Sequence, residues 1–213
     1  MLARFGVGDR RIWVFLSAIK DRRTGLAVSQ ARLRIAATAT VAAMLFVSVA
    51  SCASAEPNQH HVTLSASWAV EYHSLAALKE NADVAVAGKF ERTIRVTKDE
   101  DGVPYTDFGF NVERVLLGPR SGSPVSAGTT LEIHQPGAAS SGVITEIDDD
   151  PLFQVGDQAI LFLHEYSPGK YFVIGGPGGR FSIVGGSVKP INDEGVPFSG
   201  DLSTFVSALD LAK

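Results

Sequence analysis

The single cysteine, Cys52, gives the chain one thiol and no means of closing a disulfide within itself. Other residues able to do chemistry fall into small groups. Gly175-Gly176-Pro177-Gly178-Gly179-Arg180 joins a glycine-rich backbone to a guanidinium, a combination able to cradle a phosphate or carboxylate. It lacks the Lys-Ser/Thr of a phosphate loop and no helical pattern follows, so it reads as a wide turn between strands. Asp148-Asp149-Asp150 offers oxygen ligands but neither the alternation nor the glycine turn of a calcium loop, and reads as a solvated acidic loop. The adjacent His60-His61 pair sits on a polar stretch that brings no further metal ligand to it.

His134 and His164 fall at strand ends, and no sequence neighbour completes a dyad with either. No serine occupies a G-x-S-x-G turn. Glu146, Asp157 and Glu165 have the chemistry of an acid–base pair, but spacing alone does not bring them together. The sequence therefore assigns no catalytic, cofactor-binding or metal-binding residue, and no cofactor.

The elements that must carry these groups begin near residue 63. Residues 1–52 hold a net charge of +6 and the remainder −10. An acidic body argues against nucleic acid and against surface binding to anionic lipid. About 150 residues suffice for one core. With no cysteine after Cys52, apolar packing must hold that core together.

A helix is expected first, with Trp68, Leu75 and Leu78 near helical spacing, Ser74 as a cap and Asn81 as its end. Strands follow at about 83–96, where Gly88 signals a bulge or bend, and at 105–117, after an Asp101-Gly102 turn. Further strands read at 129–134, 143–147 and 158–164, the last being the most hydrophobic. Residues 171–174 and 180–184 read as a pair across the glycine-rich turn, and 187–190 as a short strand. An amphipathic helix at 201–211 carries the stripe Leu202, Phe205, Val206 and Leu209. Short strands between frequent turns point to a barrel or sandwich, and the terminal helices make the class α+β, mainly β.

Residues 35–52 follow Arg32 and Arg34, carry no charge, and end in Val49-Ala50-Ser51-Cys52. This stretch resembles a bacterial lipoprotein signal peptide with its lipobox. The resemblance implies cleavage before Cys52 and a diacylglyceryl thioether on Cys52, with or without an N-acyl group. It implies a membrane partner through that lipid and a cell-membrane location facing outside the cytoplasm. Two alternatives stay open: ordinary secretion after Ala53-Ser54-Ala55, and an uncleaved apolar anchor. Residues 1–27 are read as an upstream extension from a start site assigned too early, 28–52 as the signal peptide, 53–62 as a polar tether and 63–213 as an extracytoplasmic domain.

The body also resembles a secreted bacterial domain type with no assigned activity. The matching stretches are ADVAVAGK at 82–89, VERVLLG at 112–118, VGDQAILFL at 155–163 and GGPGGRF at 175–181. Its order of elements resembles small antiparallel OB-like, netrin-type barrels, which implies about six or seven strands with a helix before them and an amphipathic helix at the C-terminus. The expected function is a non-enzymatic binding module for a protein or cell-envelope component. The alternative is an envelope hydrolase using carboxylates or a Ser/His pair.

Overall fold

Strand β9 (Gln158–Ser167) is the element against which the rest of the chain is arranged. Its run Ala159–Leu163 is buried on both faces, which explains why it is apolar without alternation. The computed structural model describes residues 2–5, 12–20, 60–120, 122–193 and 195–213. Cys52, the apolar run at 35–52 and most of the tether lie outside the described residues.

One edge of β9 pairs with β4 (Val84–Lys98), which forms a long hairpin with β5 (Pro104–Leu117). β5 pairs with β6 (Thr130–Pro136), β6 with β10 (Lys170–Val173), and β10 returns to β9. The ring β9-β4-β5-β6-β10 is a closed five-stranded barrel with OB-like order. Within the ring, the expected antiparallel pairing holds at every contact but one: β6 and β10 run parallel. Strand direction cannot alternate all the way around a ring with an odd number of members, so one parallel pair is required.

Beyond the barrel, β11 (Arg180–Val184), β12 (Ser187–Pro190) and β13 (Gly200–Asp201) extend the sheet from β9. A second sheet takes the order β1 (Leu2–Phe5), β2 (Ile12–Lys20), β3 (His60–Trp68), β8 (Val143–Ile147) and β7 (Ala138–Ser140). Residues 60–62, read from the sequence as tether, are the first of β3.

Two expectations are corrected. Trp68 ends strand β3 instead of opening a helix, and α1 (Leu75–Asn81) starts after Ser74, whose Oγ accepts from the Ala77 N–H at 3.2 Å. Its apolar neighbours 68 and 75 thus belong to two elements, separated by a bend. The segments at 171–174 and 180–184 do not pair with each other. Both lie along the same edge of β9, β11 opposite residues 158–161 and β10 opposite 163–167. The glycine-rich turn between them is a 3-10 turn, Gly176–Gly179, where one departs to close the barrel and the other to extend the sheet.

The sheet separates two cores. Inside the barrel, Val84, Val86, Phe90, Phe108, Phe110, Leu131, Ile133, Leu161 and Leu163 pack around Phe153. Outside it, Ile160, Phe162 and Phe181 are covered by α1 and α2 (Leu202–Leu211) through Leu78, Phe205 and Leu209. Asp201 caps α2, its Oδ1 accepting from the Thr204 N–H at 2.7 Å. Gly88 stands where β4 shifts register, and a Cβ there would fall 2.0 Å from the Asn111 carbonyl oxygen. The bulge therefore needs glycine for room.

Candidate functional site

The helices cover the outer face of β9 at Ile160 and Phe162; beyond Leu163 that face, with the outer faces of β5, β6 and β10, carries polar and aromatic side chains. Pairing sets what it displays. Asp107 on β5 lies opposite His134 on β6, so both point outward, while their neighbours Phe108 and Ile133 point in. Across β10, Phe172 lies opposite His164 on β9. Side chains on this face join into a row of rings. Tyr105 stacks on His134 with centroids 4.8 Å apart; His134 is 5.9 Å from Tyr166, Tyr166 6.1 Å from Phe172, and Phe172 5.1 Å from His164.

Carboxylates fix both histidines. His134 Nδ1 is bonded to Asp107, and His164 Nδ1 is 2.7 Å from Asp83 Oδ2. A ring nitrogen held by a carboxylate is the one that carries the proton in the neutral imidazole, so the other nitrogen, Nε2, becomes the acceptor. Asp107 is only 2 % exposed and also accepts from Arg95 Nε at 2.5 Å. Burial alone would raise its carboxyl, but the bond and charge of His134, together with Arg95, hold it below its ordinary value. Arg95 continues to Glu132 at 2.6 Å, and Lys170 reaches the same carboxylate at 3.1 Å. Burial, with the charges of Asp107 and Glu132, pushes the Tyr166 phenol up to about 12.

Over the end of this row passes the segment linking β3 to α1. Between it and the wall lies a cleft of about 320 Å³, whose lining includes Trp68, Tyr72, His134, His164, Tyr166 and Phe172. The glycine-rich turn makes the crossing possible. Gly175 and Gly176 have φ of +63° and +53°, and a Cβ on them would fall 2.5 Å from the Tyr72 ring and 2.3 Å from the Trp68 ring. Trp68 is further held by its Nε1, which donates to Asp149 Oδ2 at 2.7 Å.

Of the residues singled out in the sequence, Arg180 and the acidic triplet meet each other. Arg180 Nη1 donates to Asp150 Oδ1 at 2.6 Å and to the Pro151 carbonyl at 2.7 Å, and its guanidinium lies 4.2 Å above the Phe153 ring. Burial pushes the Asp150 carboxyl upward against the pull of Arg180. The guanidinium is therefore committed to the protein and not presented to an anion.

Glu146, Asp157 and Glu165 stand apart, each with its own partners. Glu146 is 3.6 Å from His61; Asp157 accepts from the Gln154 N–H at 3.2 Å; Glu165 accepts from the N–H groups of Ser123 and Gly169 at 2.9 and 2.7 Å. Among the described residues, no three His, Cys, Asp or Glu are grouped to hold a metal ion.

Sequence reasoning missed Tyr105, Asp107, Tyr166 and Phe172. The only local signal was alternation on the strands, which does not tell the face that builds a core from the face that builds a site. No protein-family model matches this sequence, and no curated protein matches it.

Proposed function

We propose that this chain is a lipid-anchored, extracytoplasmic binding module that holds a protein or cell-envelope component in the aromatic cleft. The observation that carries the binding reading is the row of five rings on the outer barrel wall, which lines a partly enclosed cleft. Rings with a polar edge, half wet and half packed, are the usual means of gripping a ligand without chemistry. Among the described residues, the lining holds no Ser, Thr or Cys.

The anchor rests on the residues before Cys52: basic residues, an uncharged run, then Val-Ala-Ser-Cys. No helix among the described residues is long and apolar enough to cross a membrane. Cleavage before Cys52 would remove β1 and β2 and leave β3 paired with β8 alone.

A second reading, an envelope hydrolase, is favoured by one observation. Two Asp-oriented histidines line a single cleft, as general bases activating water would.

The test is capture from native membranes by the full-length protein, compared with Tyr166→Ala and with Cys52→Ala. The expected result is an identified component whose capture is lost with Tyr166→Ala, and loss of lipid labelling with Cys52→Ala. Undiminished capture by Tyr166→Ala would refute the cleft. Detergent-phase partition unchanged in Cys52→Ala, with the leader still removed, would refute the anchor. Turnover of an envelope polymer that Asp107→Asn and Asp83→Asn abolish would establish the hydrolase instead.

A further inference from the structure

We infer that the cleft takes the ring of a neutral sugar, within a glycan chain or at its end. This rests on the cleft being the binding site, and adds the chemistry of what enters it.

Charge narrows the ligand first. Among the described residues, the cleft lining includes no Lys or Arg, and its one carboxylate, Asp150, is already matched by Arg180. The charges of this wall, Arg95, Asp107, Glu132 and Lys170, are paired among themselves. An anionic ligand would give up its hydration and find no unmatched cation in exchange. The cleft thus does not suit an anion.

Shape and chemistry narrow it again. Trp68, Tyr72, Tyr166 and Phe172 offer broad π faces, whose negative surface suits the C–H groups lining the flat side of a saturated sugar ring. The volume of about 320 Å³ is at the small end of ligand sites, the scale of one or two sugar rings. The polar edges suit hydroxyls, which both donate and accept. With Nδ1 held by Asp83, His164 turns Nε2 into an acceptor in its neutral form. Asn81, whose amide N–H₂ donates to the Ala77 carbonyl at 2.9 Å, has its Oδ1 as an acceptor. An extended proline-rich peptide also docks on aromatic rings, but it needs an open groove to run through. Here the segment from Trp68 to Tyr72 crosses the end of the row.

The experiment titrates the full-length protein with cellotetraose, chitotetraose and maltotetraose, and separately with decaproline, following tryptophan fluorescence. Trp68→Phe assigns the signal, since Trp13 is the other tryptophan. The expected result is a saturable change with at least one tetrasaccharide. Tyr166→Ala should weaken it by about tenfold or more, as loss of one stacking ring implies, with unchanged circular dichroism, and Tyr166→Phe should restore it. Saturation by decaproline alone, with the same dependence on Tyr166, overturns the sugar and keeps the cleft. Sugar binding indifferent to Tyr166→Ala overturns the location. No response to any tetrasaccharide at about 10 mM overturns the sugar assignment, while membrane capture still judges the cleft by itself.

Discussion

Two aromatic clusters lie on the outside of the same barrel, and their composition sets their roles. Toward β11, Phe162, Phe181, Phe198 and Phe205 meet at centroid distances of 4.8–6.4 Å beneath α2. Toward β6 and β10, the row is Tyr105, His134, Tyr166, Phe172 and His164. The first cluster has no polar atoms in its rings and is covered by a helix whose own stripe is apolar. The second has a hydroxyl or ring nitrogen on four of its five members, and carboxylates hold its histidines. Rings without polar edges are most stable when dry, so they make a core. Rings with polar edges keep part of their hydrogen bonding in water and so tolerate a surface waiting for a ligand.

Phe205, a fully buried member of the first cluster, carries the largest expected effect. Phe205→Ala should cost about 3–5 kcal/mol and lower the melting temperature by several degrees, without altering ligand capture. A melting temperature that hardly moves would show that α2 is not the cover it looks to be.

Gly176→Ala tests how the second cluster is bounded. A side chain at φ +53° costs about 1–2 kcal/mol, and its Cβ would displace the Trp68 ring. The expected outcome is a moderate loss of stability together with weakened ligand capture. Retention of full capture would mean that the crossing segment does not shape the cleft.

The smallest effect concerns acid. Asp107 holds its proton less tightly in the folded chain than its ordinary value of 3.8, so between the two values the unfolded chain binds more protons. Its contribution is complete above that ordinary value and disappears as pH falls through the lower, folded one. Melting curves between about pH 5 and pH 2 should show a shallower acid limb in Asp107→Asn than in the native chain. Parallel limbs would show that the bonds from His134 and Arg95 do not depress this carboxyl.

Much of the fold was legible because local physics dictates it. The unbroken apolar run of β9 required cover on both faces, and Leu161, Phe162 and Leu163 are all fully buried. The stripe on α2 required a partner, and Phe205 and Leu209 have one. Gly88 announced its bulge, Ser74 its cap and Asp101-Gly102 its turn, each through the conformation its own residues favour. The class, α+β and mainly β with an OB-like barrel, follows from these. Which strands close the ring does not follow, because residues 171–174 and 180–184 have the same local character and differ only in which part of β9 they meet.

The site was decided by tertiary structure alone. Asp107 meets His134 because β5 and β6 adopt one register, and a slip of β6 by one residue would turn His134 to the other face, away from Asp107. Asp83 meets His164 although 81 positions separate them, since β4 and β9 are neighbours in the ring. Arg180 and Asp150, each read alone as solvated or turn-forming, find each other in the interior. Sequence determined which apolar runs must be buried, because an apolar stripe needs cover wherever it lies. Only the closed barrel decided which polar and aromatic residues would share a face, because that depends on strand pairing between distant parts of the chain.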